Sequence, residues 1–405
     1  MHSAQSLGSE MTPIFLRKLV HLSDFYVGFL TAIQDISSDL HTDFKIPQED
    51  LTFIKSYFDQ VKIGDFNLVD FQNNFEQASE ILGKIYYLSS TVGNISNTHI
   101  FRHRKMGERK ISIINCAILS ATRQKIISFH SYINNFFTVF YRELFLETGS
   151  TNNFSQNVCG FVHGKSYLDH AKAHVMGKTI ISIDIKKFYD SIKLKNIFTS
   201  RLFFRAFSTS ARLHNVSEED PVVNGMIAIC SGILACLSNY MTHNGVVPTG
   251  AHYSPSFSNF IFAGIDEQIL NVIKEKNSLI TYTRYADDIA ISTPVISIDD
   301  KYVIDMDLIR KIESVVNSFT FYLKYEKTKI MGPKDKKVIA GVIIDQSDFN
   351  NPKLSIGTQR KLELKAQFSG RRFTDLTASE KGILNWVNQV NPHQYNFVIS
   401  EMIME

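Results

Sequence analysis

Three aspartates at the ends of predicted strands are the residues of this chain whose type and spacing could do chemistry. Asp287 and Asp288 are adjacent and follow a strand-like segment at 279–285, and Asp184 ends another at 179–184. Adjacent carboxylates near a protein core repel each other unless a cation neutralises them. Mg²⁺ prefers carboxylate oxygens together with phosphate oxygens. If the two strands pair side by side, the three acids could hold two Mg²⁺ ions and support phosphoryl transfer.

The elements around these acids mix helices and strands without a regular alternation, which predicts an α+β fold class. The periodicity of apolar residues and the positions of glycine and polar turns define them. Helices are expected over 12–40, 48–90 and 119–147, a basic hairpin over 98–114, a strand pair over 337–344 and a basic helix over 356–368.

The chain length and the charge distribution both predict that the chain has more than one domain. With 405 residues the chain exceeds one ordinary domain. Residues 1–85 carry 12 acidic and 6 basic side chains, whereas residues 86–405 carry 28 acidic and 37 basic ones. A basic body of this kind suits polyanions, although chance imbalance on a solvated surface is an equal alternative. We predict a helical N-terminal extension over 1–85, a body over 86–345 and a helical C-terminal part over 346–405.

Composition disfavours several other classes of protein. Four cysteines without a C-x-x-C pair indicate neither a disulfide framework nor a zinc site, and they favour a reducing cytoplasm. No secretory signal is expected at the N-terminus. Residues 221–265 lack charged side chains, but small and polar residues interrupt the apolar run. We therefore expect buried protein interior there rather than a membrane segment.

Five short motifs follow one another along the chain: GERKI at 107–111, DIKKFYDSI at 184–192, PTGAHYSPSFSN at 248–259, YADD at 285–288 and LKYEKTKI at 323–330. They are similar to motifs that occur in the same order in reverse transcriptases. They resemble the fingers motif, the first catalytic motif, the template-and-primer motif, the Tyr-x-Asp-Asp motif and the motif after it. An Asp–Asp pair alone would be a common solvated turn, but five ordered motifs are a strong signal. The resemblance covers roughly residues 86–390 and implies a right-hand polymerase with fingers, palm and thumb.

The resemblance implies a role for each acid and for a nearby tyrosine. Asp184 and Asp287 would coordinate both Mg²⁺ ions, with Mn²⁺ as a possible substitute, and Asp288 would complete the site. Ile185 is assigned to the metal site as well. Tyr189 would lie under the sugar of the incoming deoxynucleoside triphosphate, where its ring would exclude a 2′-hydroxyl. The alternative for Tyr189 is simple core packing.

The resemblance also implies contacts to the nucleotide. Arg109, with Lys105, would contact the triphosphate, because a guanidinium makes paired bonds to oxygens. Lys327 would neutralise or protonate the departing pyrophosphate. Thr249 stands where relatives usually have Gln, and its shorter side chain offers only a hydroxyl. We therefore expect a specialised product, copied from a short dedicated RNA or made as repeat or untemplated DNA. A neutral family variant is the alternative.

The predicted C-terminal helix carries a run of basic side chains at Arg360, Lys361 and Lys365. As part of a polymerase thumb, it would follow the phosphate backbone of the template–primer duplex. An ordinary solvated helix face is the alternative.

Within reverse transcriptases, the chain is most similar to bacterial retron and phage-defence-associated enzymes. The string FVHGKS at 161–166, followed by Ala171 and His174, resembles a retron region in which His170 replaces Asn. This implies a polymerase that copies a structured non-coding RNA into DNA during anti-phage defence. A retron enzyme that makes branched RNA–DNA is the alternative. A second defence protein or a second copy of the chain is a possible partner, and no membrane is expected.

Three other functions compete with this interpretation. An RNA-templated RNA polymerase or a nucleotide cyclase has a similar sheet, but Tyr189 argues against ribonucleotides and the ordered motifs argue against a cyclase. A group II intron protein would need more chain after the palm. A nucleic-acid-binding protein that has lost catalysis would not need all three acids.

Overall fold

A computed structural model describes residues 3–40, 46–62, 101–106, 109–114, 117–148, 150, 153–298, 301–348 and 350–403, with scattered helical positions between 74 and 84. The chain divides into two compact units. Unit 1 comprises Met1–Gln156, Lys186–Ile269 and Ser314–Tyr322, and unit 2 comprises Asn157–Ile185, Leu270–Glu313 and Leu323–Glu405. Helices and antiparallel strands are both present, so the predicted α+β class is confirmed. The predicted domain boundaries at residues 85 and 345 stay predictions.

The elements follow the predicted order along the chain. The helices are α1 (Ser3–Asp39), α2 (Gln48–Lys62), α3 (Ser120–Tyr141), α4 (Tyr167–Lys172), α5 (Phe188–Ser191), α6 (Leu194–Thr199), α7 (Leu202–Leu213), α8 (Pro221–Met241), α9 (Ser254–Lys276), α10 (Met306–Ser318), α11 (Thr358–Phe368), α12 (Ala378–Val390) and α13 (Pro392–Ile399). The strands are β1 (Phe101–Met106), β2 (Arg109–Ile114), β3 (Thr179–Asp184), β4 (Thr281–Tyr285), β5 (Asp288–Thr293), β6 (Ser297–Ile298), β7 (Lys301–Tyr302), β8 (Lys329–Met331), β9 (Lys337–Ile339), β10 (Val342–Asp345) and β11 (Lys353–Ser355).

Most predicted elements are confirmed, with differences at their ends. α1 begins earlier than expected, because apolar periodicity marks the buried face of a helix rather than its end. The expected helix over 119–147 is α3 followed by a π-helical turn, Arg142–Leu146. Much of the expected helix over 48–90 lies outside the described residues.

Aromatic side chains on α1 and α3 hold unit 1 together. Phe25 stacks on Phe136 with ring centres 3.7 Å apart and planes at 5°, and it meets Phe137 edge to face. Phe137 in turn contacts Phe257 on α9. Such pairs add about 0.5–1.5 kcal/mol to the stability gained by burying their area. α1 is therefore a core helix of unit 1.

A polar contact fixes the first half of α1 to the same unit. Lys18 Nζ donates to the carbonyl oxygens of Glu143 and Glu147, at 2.8 and 2.9 Å. It also lies 2.9 Å from Nε2 of His214, whose Nδ1 donates to the Ser210 carbonyl oxygen. The last carbonyls of a helix lack partners within it, and the lysine satisfies two of them here.

α8 is the one helix among the described residues that is long and apolar enough to cross a membrane. Most of it is buried inside unit 1, where it packs beside α1 and α7. A core helix passes the same test of length and composition, so this feature is weak evidence for a membrane segment.

A four-stranded antiparallel sheet, in the order β4-β5-β3-β8, forms the centre of unit 2. Ile180, Ile181 and Ile183 of β3 are all buried. Successive side chains point to opposite faces of a sheet, so both faces of this strand are covered. The β3–β5 register ends with Asp184 opposite Asp288.

The C-terminal part of unit 2 combines a small sheet with three helices. The sheet has the order β11-β10-β9, and a core that includes Leu364, Phe368 and Leu384 joins it to α11 and α12. Ala340 and Gly341 connect β9 to β10 with φ values of +47° and +80°. Two left-handed residues are what a tight hairpin turn requires.

Replacing Phe25 with Ala should lower the free energy of unfolding of unit 1 by about 3–4 kcal/mol, because a buried, stacked ring is lost. Ile14 lies on the same helix and is 45% exposed. Ile14→Ala is the matched control and should change stability by less than about 0.5 kcal/mol. Urea unfolding followed by circular dichroism measures both. Equal midpoints for the two variants would show that α1 is not part of the core.

Candidate active site

The three acids singled out in the sequence lie at one end of the central sheet of unit 2. Asp184 is opposite Asp288 in the β3–β5 register, and Tyr285 is opposite Asp288 in the β4–β5 register. The Ile185 N–H donates to the Asp287 carbonyl oxygen at 3.0 Å, so the strands stay connected beyond the ladder. Side chains opposite each other in an antiparallel pair have Cβ atoms about 5 Å apart. The register therefore brings the three acids to adjoining strand ends.

The three carboxylates act on one another electrostatically. Partial burial, and then the charges of Asp287 and Asp184, raise the pKa of Asp288 to about 6. Lys327 opposes this effect: its Nζ donates to Asp184 Oδ2 at 2.7 Å, and this hydrogen bond raises the pKa of the lysine. The lysine is half exposed, whereas Asp184 is buried. One ammonium thus faces three acids, and the cluster keeps an excess of negative charge at neutral pH.

The donor chemistry of this cluster suits Mg²⁺. Asp184, Asp287 and Asp288 offer hard carboxylate oxygens, and Ile185 can offer only its backbone carbonyl because its side chain is apolar. Within the part of the chain that the structure describes, no group of three or more His, Cys, Asp or Glu side chains is placed so that it could hold a metal ion by itself. Mg²⁺ usually keeps water and substrate phosphate among its ligands, so an incomplete set of protein ligands fits it.

A buried guanidinium holds the turn between β4 and β5. Arg284 is fully buried, and its Nη1 donates to the Ala286 carbonyl oxygen at 3.1 Å. Ala286 has a φ of +55°, which is unfavourable for a residue with a side chain. Gly160 lies against the same turn, and a Cβ there would come within 2.6 Å of the Ala286 nitrogen. The Arg284 side chain and the backbone at Gly160 thus fix the turn that carries Asp287.

Two buried histidines bond to hydroxyls of β4 and β5. His174 lies 2.7 Å from Ser292 Oγ through Nδ1 and 2.7 Å from Thr283 Oγ1 through Nε2. His170 Nδ1 lies 2.6 Å from Thr283 Oγ1. Burial lowers the pKa of His170 to about 4, with a further contribution from Arg284, and the pKa of His174 to about 3. Both rings are neutral at physiological pH and tie the α4 segment to the sheet.

The remaining predicted nucleotide contacts fall in unit 1. Tyr189 lies in α5, partly buried beside the ring of Phe188. Thr249 is partly exposed just before α9. The backbones of Lys105 and Arg109 lie in β1 and β2, but their side chains lie outside the described residues. The four proposed contacts therefore stay predictions.

Arg360, Lys361 and Lys365 lie on α11, as predicted, and each has a partner within the chain. Lys361 Nζ and Lys365 Nζ lie 4.6 and 4.4 Å from the ring centre of Phe397 on α13. Lys365 also pairs with Glu401 at 3.0 Å, and Arg360 pairs with an acid one turn along its helix. Surface pairs of this kind contribute little to stability. The predicted role of the three residues as phosphate contacts stays a prediction.

Arg284 and Gly160 are site residues that sequence reasoning did not single out. Arg284 is the one charged residue of β4, among threonines and tyrosines, and a charged residue within a strand was the available signal for it. The role of Gly160 depends on a contact with a turn far along the chain, which no local pattern reports.

The stability of unit 2 should fall in acid because of the two buried histidines. Their folded-state pKa values lie below the ordinary value near 6.5, so the unfolded chain binds more protons between about pH 6.5 and pH 4. Each histidine should then remove up to about 1.4 kcal/mol of stability per pH unit as the pH falls through this window. Chemical unfolding at a series of pH values measures the slope.

His174→Gln should reduce that slope by about one proton, because the variant side chain does not titrate. Exposed His163 provides the matched control, and His163→Gln should leave the slope unchanged. The same slope in His174→Gln as in the wild type would contradict the neutral, buried state of this ring.

Retron reverse transcriptases are similar to this chain in sequence. The chain is 25% identical to the Retron Ec86 reverse transcriptase of Escherichia coli over 208 residues, which are 51% of this chain and 54% of that protein. It is also 25% identical to the Retron Ec83 reverse transcriptase of Escherichia coli over 240 residues, or 57% and 69% of the two chains. For the Retron Mx65 reverse transcriptase of Myxococcus xanthus the identity is 25% over 248 residues, or 58% and 52%. The chain thus spans about half to two thirds of the length of these relatives.

A solved structure of telomerase from Candida albicans, in complex with a fragment of telomeric RNA, is weakly similar. It is 10% identical, with a TM-score of 0.40, and the similarity covers 77% of this chain and 58% of that one. A similarity at this level carries no argument about fold or function.

A family match over residues 138–350 covers more than half of the chain. The family is described as Reverse transcriptase (RNA-dependent DNA polymerase). The matched segment contains the three acids, Arg284 and all of the central sheet. The α+β architecture is consistent with the expected right-hand polymerase. The expectation raised by the ordered motifs is thus confirmed, and the chain belongs to the reverse transcriptase family.

Proposed function

We propose that this chain is an RNA-directed DNA polymerase that adds deoxynucleotides to a primer by two-metal phosphoryl transfer. The observation that carries the proposal is the pairing of Asp184 with Asp288 across β3 and β5, with Asp287 beside them. Membership of the reverse transcriptase family supports it. The presence of all three acids favours catalysis over a binding function alone.

In this proposal the acids bind the metal ions, and strand pairing together with Arg284 positions the acids. Asp184, Asp287, Asp288 and the Ile185 carbonyl would bind Mg²⁺, or Mn²⁺ in its place. When bound, such ions stabilise the charge on the attacking and leaving oxygens. Strand pairing keeps Asp184 and Asp288 opposite each other, and Arg284 fixes the turn that carries Asp287. Fixed placement matters because phosphoryl transfer depends mainly on positioning and electrostatics.

Lys327 supplies a positive charge and a proton beside the acids. Its bond to Asp184 raises its pKa, so the ammonium form is favoured. A protonated lysine can neutralise the leaving pyrophosphate or protonate it. Because the side chain is half exposed, Nζ can move from Asp184 to a substrate oxygen without disturbing the core.

Selection of the nucleotide is assigned to residues of unit 1. The ring of Tyr189 excludes a 2′-hydroxyl, and Lys105 and Arg109 bind the triphosphate. Thr249 offers a hydroxyl to the nascent base pair where a longer amide is usual in the family. This difference favours a specialised product over general copying.

The template in this proposal is a dedicated, structured non-coding RNA, and the setting is anti-phage defence in the bacterial cytoplasm. Several relatives are named retron reverse transcriptases, so a retron product of branched RNA–DNA is the second candidate. A second defence protein or a second copy of the chain is a further expected partner. Sequencing the nucleic acid that copurifies with the protein separates an unbranched copy, a branched product and a simple repeat.

Asp287→Asn should lower deoxynucleotide incorporation by roughly three orders of magnitude or more, because the cation-binding cluster loses a charge. Folding should be retained, since the change leaves no cavity and removes the Asp287 charge, which adds to burial in raising the pKa of Asp288. Primer extension on the copurifying RNA measures the loss. Asp307→Asn, at an exposed carboxylate on α10, is the control and should keep the wild-type rate. Activity in an Asp287→Asn, Asp288→Asn double variant would contradict the mechanism.

Changing Arg360, Lys361 and Lys365 together to Gln should weaken binding of a primer–template duplex and flatten its dependence on salt. Each phosphate contact that is lost should reduce the log–log slope by about 0.9. Anisotropy titrations at several salt concentrations measure it. Arg310 and Lys311, both exposed on α10, serve as the control pair. An unchanged slope in the triple variant would mean that these side chains serve the packing around Phe397 rather than nucleic acid.

A further inference from the structure

The side chain of His174 joins the two strands of the hairpin that carries Asp287. Its Nε2 lies 2.7 Å from Thr283 Oγ1 on β4, and its Nδ1 lies 2.7 Å from Ser292 Oγ on β5. Ser292 pairs with Thr281, two residues before Thr283, so the two hydroxyls are diagonal neighbours on one face of the hairpin. Diagonal positions are about 7–8 Å apart, and one imidazole ring with a bond at each nitrogen spans that distance.

These two bonds hold only in the observed register of β4 on β5. A shift by one residue moves the strands by about 3.4 Å and turns Ser292 to the other face of the sheet. The Ser292 hydroxyl would then be out of reach of His174. Because His174 is fully buried, a lost bond would leave a ring nitrogen without a partner, which is costly. The ring therefore stabilises one register over the others.

The turn of this hairpin is unfavourable for the residues that form it. Ala286 and Asp287 are the two residues between Tyr285 and Asp288, which pair. A two-residue turn with a positive φ at its first position favours glycine there, and Ala286 has a φ of +55°. Such a conformation costs about 1–3 kcal/mol and persists because contacts elsewhere offset it. The bonds of His174 are among those contacts.

The segment that carries His174 is itself fixed. Gln346 Nε2 donates to the Val175 and Gly177 carbonyl oxygens, at 2.7 and 2.9 Å. A Cβ on Gly177 would come within 2.7 Å of the Ser292 Cβ, so the segment packs directly on β5. His174 therefore acts on the hairpin from a fixed support.

We propose that His174 is a positioning residue for the catalytic acids, which acts by fixing the register of β4 on β5. This inference rests on the proposed polymerase function. The register sets where Asp287 leaves the hairpin, and β5 carries Asp288 opposite Asp184. The two hydroxyl partners of His174 lie four residues before Asp287 and four residues after Asp288. The ring thus acts on the acids through the backbone of both strands.

The test removes the partner hydroxyls, since replacing His174 would open a cavity. Ser292→Ala and Thr283→Val should each lower kcat for primer extension about tenfold and raise the half-saturating Mg²⁺ concentration about tenfold, because the acids lose their relative placement. The KM for deoxynucleotides should change by less than about twofold, since the residues expected to bind the triphosphate are unaltered. Thr283→Ser keeps the hydroxyl and should keep the wild-type values.

Ile309→Val, in the core beneath α10, is the matched control for lost stability. It should melt below the wild type yet keep the wild-type kcat and Mg²⁺ dependence. Amide hydrogen exchange over 281–293 should be faster in Ser292→Ala and unchanged in Ile309→Val.

Wild-type kcat and Mg²⁺ dependence in Ser292→Ala would overturn the inference, because the bond would then serve stability alone. Equal losses in Ile309→Val, or the full loss in Thr283→Ser, would overturn it as well. A wild type that extends no primed template would overturn the proposed function itself. The exchange comparison would still decide whether His174 fixes the hairpin.

Discussion

The repulsion among Asp184, Asp287 and Asp288 is the constraint on which the rest of unit 2 depends. Three carboxylates at adjoining strand ends are unfavourable in the absence of a counter-charge. Burial raises the pKa of Asp288 first, and the charges of Asp287 and Asp184 raise it further. The antiparallel ladder between β3 and β5 keeps the backbones of two of them opposite each other, and Lys327 offsets part of the charge. A cluster that keeps excess negative charge after these contributions is suited to divalent cations.

The turn that carries Asp287 and leads into Asp288 is supported by buried groups. A buried guanidinium is costly unless its donors are satisfied, and Arg284 uses one of them on the Ala286 carbonyl. His170 lies near this guanidinium, and its ring stays neutral because both burial and that charge lower its pKa. Gly160 allows a neighbouring loop to approach where a side chain would collide. These contacts limit the freedom of the turn, which is what positioning of metal ligands requires.

Local sequence signals were enough to predict the strands β3, β4 and β5 and the turn between β4 and β5. The apolar run before Asp184 and the Asp–Asp pair between two strand-like segments are features of a few neighbouring residues. The convergence of Asp184 with Asp288 was predictable only on the condition that the strands pair, because register depends on contacts between distant segments. The bonds of Arg284 and the close approach at Gly160 depend on such contacts as well. The basic run at Lys361 and Lys365 was evident in the sequence, but the ring of Phe397 against both side chains was not.

Counting bound ions shows whether the acid cluster binds the divalent cations of a polymerase. Mn²⁺ can be titrated into the protein in complex with primed template and a non-hydrolysable deoxynucleotide, with electron paramagnetic resonance reporting the free ion. We expect two bound ions per protein in the wild type, in line with two-metal phosphoryl transfer. Asp184→Asn, Asp287→Asn and Asp288→Asn together should remove both ions while the circular dichroism spectrum is unchanged. Two tightly bound ions in that triple variant would show that the cations bind elsewhere than at the acid cluster.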